Sequence, residues 1–322
     1  MQRNIIPLLV CGLICSVSAA TARAESYPSR PVRMVVPYPA GGGADFVARL
    51  LAQGLSERLG QQVFVDNRGG AGGTIGTVFA AKAPPDGQTL YLAAANLAWS
   101  VSLFENLAYD PLTDFSAVGL VARTPSILAV NPALPAKSVK DLIALAKASP
   151  GKINSAGGTG TSMQTDMELF KAMTGVDFAQ IPYRGTAPAV LATLSGEVSV
   201  IIAPTTALLP HVRSGALRPL AISGDQRSPA LAELPTIAEA GVPAFETYQW
   251  YGILVPNRTP RDIVVRLNRE IGDVIRAPNI ETLLASQALV PATDTPEEFK
   301  EFMQAQINKW AKVLKPTDVP PP

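Results

Sequence analysis

The sequence predicts an α/β protein of two lobes with a cleft between them. Short apolar runs alternate with amphipathic helical stretches along most of the chain, the pattern of parallel sheets covered by helices. Glycine-rich turns recur where an apolar run gives way to a helix, at residues 41–43, 69–73 and 157–160. Two stretches, around residues 119–130 and 245–255, read as crossings from one half to the other.

Residues 1–24 read as an export signal. Arg3 precedes an apolar run over 5–20, and Ala22-Arg23-Ala24 supplies an A-x-A cleavage site. Both cysteines, Cys11 and Cys15, fall inside it, so the mature chain is expected to use neither a disulfide nor thiol chemistry. Export to a bacterial periplasm follows. The chain has 27 basic and 26 acidic residues, and losing Arg3 and Arg23 leaves it near neutral. That balance gives no support for nucleic acid or membrane-surface binding. An apolar content of 47% over 322 residues suffices for a substantial core shared by about two domains. No later stretch is long and apolar enough to span a bilayer. His211 is the single histidine, no acidic or histidine spacing suits a metal, and no cofactor is expected.

The first strand, residues 32–36, runs into Pro37-Tyr38-Pro39-Ala40-Gly41-Gly42-Gly43-Ala44-Asp45. A helix follows, with Ala48, Leu51, Ala52, Leu55 and Leu59 on one face. Three glycines let the backbone approach a ligand closely. The first N–H groups of the helix lack internal partners and carry partial positive charge, so main chain alone can cradle an anion. The same residues also suit a tight turn that binds nothing.

A second strand at 63–67 leads through Gly69-Gly70-Ala71-Gly72-Gly73 into a helix over 75–83, and Pro84-Pro85-Asp86-Gly87 is a turn. The third strand, 89–94, ends in Ala95-Asn96-Leu97-Ala98-Trp99, which reads as a loop. Parallel α/β sheets bind ligands outside the carboxyl ends of their strands, so three such loops on one edge suggest a site. Strands at 119–122 and 126–130 flank Arg123-Thr124-Pro125, the first crossing. Ser138 caps a helix to residue 148, with Asp141 three residues on. A strand at 152–155 leads into Ala156-Gly157-Gly158-Thr159-Gly160-Thr161-Ser162 and a helix over 163–174. This loop repeats the first one and adds hydroxyls able to donate to a carboxylate. Strands follow at 178–182, 198–203 and 217–223, with helices at 187–194 and after Pro204-Thr205-Thr206. Residues 245–255 cross back. Thr259-Pro260 starts a helix, with Pro at its first position, to about 276. Thr295-Pro296-Glu297-Glu298 is a capping box for a last helix to about 313. The first lobe is thus expected from residues 25–123 and 247–322, the second from 124–246, with 316–322 a loose tail.

These residues resemble the Bug (TctC-like) family, the periplasmic solute-binding receptors of tripartite tricarboxylate transporters. Residues 36–45 and Asp66-Asn67-Arg68-Gly69-Gly70-Ala71-Gly72-Gly73-Thr74-Ile75-Gly76 carry its paired signatures. Tyr109-Asp110-Pro111 with Asp114-Phe115, Pro182-Tyr183-Arg184-Gly185, Leu234-Pro235-Thr236 with Glu239-Ala240-Gly241, and Trp250-Tyr251-Gly252 follow in order. The resemblance spans essentially the whole mature chain. It implies a two-lobed periplasmic-binding-protein fold, a Venus flytrap of the type II-like kind, with the ligand cleft between lobes. It further implies that the first glycine loop and the helix-start loop of the second lobe clamp a ligand carboxylate. On this chain that places Tyr38, Ala40, Gly41, Gly42 and Asp45 on one side, and Gly158, Thr159, Thr161 and Ser162 on the other. Asn96 and Thr205 would be pocket walls. The ligand class implied is a small organic carboxylate (di- or tricarboxylate, or aromatic acid), delivered to membrane transporter subunits by a monomer.

The chain departs from the family pattern at Gln164, where members often carry His, and at Ser199, where many are acidic. Residues 203–206 are also less acidic than in many relatives, which would suit a more anionic ligand if they face the cleft. Each candidate has a plainer reading. Asp45 could simply complement the helix dipole. Arg184 could clamp a carboxylate, although most arginines sit in surface ion pairs. Tyr248 and Trp250 suit interlobe packing, His211 a surface position, and residues 69–73 packing beside the first loop. Against an enzyme, the chain lacks a G-x-G-x-x-G, a Walker or a G-x-S-x-G motif, and one histidine leaves one possible base. A sensory role, presenting ligand to a membrane kinase, stays open beside transport.

Overall fold

The structure, a computed structural model, describes residues 27–158, 160–183 and 185–314. The expected signal at 1–24, Thr159, Arg184 and the tail at 316–322 lie outside the described residues. The chain opens with β1 (Val32–Val36), α1 (Gly43–Leu59), β2 (Val63–Asn67), α2 (Thr74–Ala81), β3 (Thr89–Ala94) and α3 (Asn96–Leu103). A long strand follows, β4 (Phe115–Val130), then α4 (Val139–Ala148), β5 (Asn154–Gly157), α5 (Ser162–Thr174), β6 (Ala179–Pro182) and α6 (Thr186–Ser195). Next come β7 (Val200–Pro204), α7 (Thr205–Arg213), β8 (Arg218–Ile222) and β9 (Tyr248–Pro256). The chain closes with α8 (Arg261–Ile275), α9 (Pro278–Ser286), β10 (Val290–Pro291) and α10 (Pro296–Val313).

Pairing splits these strands into two groups joined by β4. In the first, β2, β1 and β3 run parallel in that order, and β9 adds antiparallel to β3. In the second, β7, β5 and β6 are parallel, while β8 and β7 both pair antiparallel with β4. β4 lies against β9 as far as Pro125 and against β7 from Ser126. The crossing is therefore a two-stranded antiparallel ribbon, with Arg123 opposite Trp250 and Pro125 opposite Tyr248. This topology puts the loops after β1, β2 and β3, and those after β5, β6 and β7, at carboxyl ends of parallel strands.

α1 forms because its apolar residues recur at helical spacing, and it buries Val47, Ala48, Leu51, Leu55 and Leu59. Full burial of such a side chain contributes about 1.5–3 kcal/mol, so packing rather than propensity holds the helix and fixes the direction of its first turn. α10 begins with the expected capping box between Thr295 and Glu298 and packs on α3, α5 and β4. One apolar cluster consequently runs through both strand groups, including Trp99, Phe170, Phe245, Trp250, Phe299 and Trp310.

Four expectations need correction. Residues 95–99 are not a loop: α3 starts at Asn96 and buries Asn96, Leu97, Ala98, Trp99 and Ser100. Its first five residues are all buried, polar Asn96 and Ser100 included, so no polar face shows in sequence. Residues 119–122 and 126–130 are one strand, because Pro125 sits where β4 changes partner and a missing N–H is least costly. Pro260 is the residue before α8, not its first helical position. Finally, α9 and β10 had no sequence signal that was recognised.

Candidate functional site

The first loop is pinned by Asp45. Its carboxylate, 4% exposed, accepts from the Gly41 N–H at 2.9 Å, Arg49 Nε at 2.9 Å and Asn67 Nδ2 at 3.0 Å. Asn67, at the end of β2, also donates to the Tyr38 carbonyl at 3.1 Å. Burial works to raise the Asp45 carboxyl, but the hydrogen bonds from Arg49, Gly41 and Asn67 outweigh it and hold it below the usual carboxylate range. Gly41 has φ +90°, a conformation that side chains resist and that turns its N–H inward to Asp45.

Tyr38 and Asn96 tie this loop to its neighbours. The Tyr38 hydroxyl donates to Asn96 Oδ1, and Asn96 Nδ2 donates to the Gly72 carbonyl at 2.9 Å. The loops after β1 and β2 and the start of α3 therefore form one bonded unit. Asn96 is 5% exposed, with both ends of its amide engaged. What remains open is main chain: Ala40, Gly41 and Gly42 are exposed. Among the described residues the N–H groups of Gly42, Gly43 and Ala44 find no acceptor, and no side chain caps α1.

The second loop is built from neutral groups. Gly158 is buried, and a Cβ there would come within 2.5 Å of the Tyr183 carbonyl, so only glycine fits. Thr161 donates its hydroxyl to the Gly158 carbonyl at 2.7 Å and caps α5 by accepting from the Gln164 N–H at 3.4 Å. Gln164 returns the bond, accepting from the Gly160 N–H at 2.9 Å. Ser162 is 7% exposed, and its hydroxyl makes no hydrogen bond among the described residues. Tyr183 donates its hydroxyl to Glu197 at 2.7 Å.

Two contacts bring the loops of the two strand groups together. The Trp99 indole N–H donates to the Gly160 carbonyl at 3.2 Å. A methyl placed on Gly43 would lie 2.8 Å from the Tyr251 hydroxyl and 4.0 Å from Thr206 Oγ1. The N-termini of α1 and α7 thus meet beside β9, while Trp99 of α3 touches the loop that opens α5. Thr205 is fully buried, and its hydroxyl is engaged with the Pro125 carbonyl at 2.7 Å. It fastens α7 to the crossing strand, leaving Thr206 as the more open hydroxyl. Arg49 is held by Asp45, so the described part of this region holds donors that are mostly main-chain N–H and hydroxyl. Such a set suits an anion with several acceptor oxygens.

Of the residues singled out by sequence, Tyr38, Gly41, Asp45 and Asn96 lie in one unit of bonded loops, and Gly158 and Thr161 are bonded to each other, with Ser162 next in the chain but outside their hydrogen bonds. Tyr251, Thr206 and Trp99 were not picked out as site residues. In sequence Trp99 only ends the loop expected at 95–99, Tyr251 only sits in the crossing motif Trp250-Tyr251-Gly252, and Thr206 only opens a helix beside Thr205. Two surface cavities of about 260 and 450 Å³ lie elsewhere, beside α8 and α9, and contain none of the expected site residues.

Comparison with known proteins identifies the family and the fold. A family model described as tripartite tricarboxylate transporter family receptor matches residues 47–319. A solved R. palustris protein with adipate is 37% identical, with a TM-score of 0.82, covering 89% of this chain and 97% of its own. The periplasmic binding protein BugD is 34% identical at TM-score 0.79, covering 90% of this chain and 100% of its own. MatC from Rhodopseudomonas palustris, with bound malate, is 30% identical at TM-score 0.80, covering 89% and 99%. The fold is that of the mixed α/β periplasmic binding proteins.

Proposed function

This chain belongs to the tripartite tricarboxylate transporter receptor (TctC) family, a family of solute receptors rather than enzymes, and from that premise we propose that it captures a small dicarboxylate. The dicarboxylate enters the cleft where α1, α5 and α7 begin. The protein acts in the periplasm after its first 24 residues are removed, and hands its ligand to the membrane subunits of a transporter. Its lobes are residues 25–123 with 247–322, and residues 124–246, turning on the β4–β9 ribbon. The observation that carries this reading is the set of N–H groups at Gly42, Gly43 and Ala44 that find no acceptor among the described residues. Asp45 takes the Gly41 N–H, so the cradle starts at Gly42. Adipate in one relative and malate in another support the ligand class.

A thermal-shift screen of refolded, ligand-stripped protein tests it, with mono-, di- and tricarboxylates, aromatic acids, amino acids and neutral sugars. A ligand that binds only the native state adds about 2.7 kcal/mol at a hundred times its Kd. The expected result is stabilisation led by dicarboxylates. Stabilisation by a neutral sugar alone would overturn the reading.

A further inference from the structure

Tyr251 stands in the crossing strand β9 with its ring 8% exposed. Its hydroxyl has no hydrogen-bond partner among the described residues. Buried phenols ordinarily find a partner, and the other tyrosines around this cleft do. Tyr38 donates to Asn96, Tyr91 shares a bond of 2.7 Å with Thr77, and Tyr248 is bonded to Asp225. The Tyr251 hydroxyl is also not one of the sealed, unpartnered atoms of the interior, such as Trp250 Nε1 and Thr247 Oγ1. It lies at the first residue of α1, close to Thr206 at the start of α7. A phenol held there, next to N–H groups that are themselves unpaired, has no acceptor among the described residues.

We propose that the Tyr251 hydroxyl, assisted by Thr206, donates directly to the ligand carboxylate held at the α1 N-terminus. Main-chain N–H groups bond one carboxylate oxygen and Tyr251 the other, so the subsite reads a planar two-oxygen anion. An ammonium group has no acceptor at all, and a neutral hydroxyl offers one uncharged oxygen where a carboxylate offers two charged ones. Burial pushes the phenol up to about 12, so the group remains a neutral donor throughout the physiological range. The inference rests on the receptor reading and adds a side chain to it.

The test removes one oxygen. Adipate is titrated calorimetrically into wild type, Tyr251→Phe and Thr206→Val, each also unfolded in urea. Should adipate not bind wild type, the acid giving the largest thermal shift replaces it. A hydrogen bond to a charged group implies at least a tenfold loss of affinity in Tyr251→Phe, and a smaller loss in Thr206→Val. The stability of Tyr251→Phe stays at the wild-type value, because the hydroxyl bonds nothing in the free protein. A purely structural hydroxyl would instead lower stability and spare affinity. Affinity within twofold of wild type in Tyr251→Phe overturns the assignment while leaving the receptor reading intact. A wild type that binds no carboxylate overturns both.

Discussion

Two loops that look alike in sequence are held in place by different chemistry. Both follow a parallel strand, both contain glycines, and both open a helix. The loop before α1 is pinned by charge: Asp45 gathers Gly41, Arg49 and Asn67. The loop before α5 is pinned by neutral groups, with Thr161 and Gln164 exchanging bonds with the backbone of 158–164. The acidic side chain early in each helix differs to match. The Asp45 carboxyl is held low by its donors. Asp166, one turn into α5 and 1% exposed, is pushed up to about 6 by burial, against the pull of its bond from Ser126 and the positive charge of Lys309. A charged pin holds at neutral pH and is lost in acid, whereas a neutral pin is indifferent to pH.

The strongest way to break the comparison is to delete the pins. Asp45→Ala removes an acceptor serving three donors, and hydrogen bonds to a charged group contribute about 1.5–3 kcal/mol each. We expect about 3 kcal/mol of lost stability in urea unfolding, together with at least tenfold weaker ligand binding. Thr161→Ala removes a helix cap and one neutral hydrogen bond to the Gly158 carbonyl, at a cost of about 1–2 kcal/mol. Equal losses from the two variants would show that the loops are pinned alike.

The second way uses pH. Asp166 has a folded pKa above its unfolded value. Its contribution is therefore fully present below about 3.8 and is lost as pH rises through about 6. Asp45 has the opposite sign: its contribution is present above about 3.8 and lost as pH falls through its lowered folded value. Wild type should gain stability from Asp166 as pH falls from 7 to 4, by up to about 3 kcal/mol. Asp294, also pushed up to about 6 by burial, adds to the same window, so the informative quantity is the difference from Asp166→Asn. That variant should show a flatter profile between pH 4 and 7. A slope identical to wild type would mean that Asp166 does not titrate there.

Much of the frame was legible in sequence because local signals and tertiary packing agree. The strand at 32–36 and the apolar stripe of α1 bury what their periodicity announces, and the capping box forms at Thr295 where its sequence places it. Residues 95–99 look like a loop in sequence because the first five residues of α3 are all buried, which leaves no polar face to set its period. β4 was split at Pro125, since sequence cannot tell a strand break from a change of partner. In the site, glycines and hydroxyls pointed to both loops. Their bonding was hidden: that Asp45 takes the Gly41 N–H depends on the positive φ of Gly41, and that Thr205 turns to Pro125 depends on a contact between residues 80 positions apart in the chain. Tyr251 was hidden for a related reason. An aromatic residue in a buried strand reads as core until its hydroxyl is found without a partner.

The account rests on main-chain N–H groups holding the ligand, and Gly42 tests that most directly. Its φ of −89° and ψ of 175° suit any residue, and a Cβ there meets nothing within 4 Å. Gly42→Ala should therefore fold normally, with stability unchanged or raised by up to about 1 kcal/mol, while its methyl stands where the carboxylate must sit. Calorimetric titration of this variant with the dicarboxylate that stabilises wild type should show at least a tenfold loss of affinity. Wild-type affinity in the folded variant would contradict the account and move the ligand away from the start of α1.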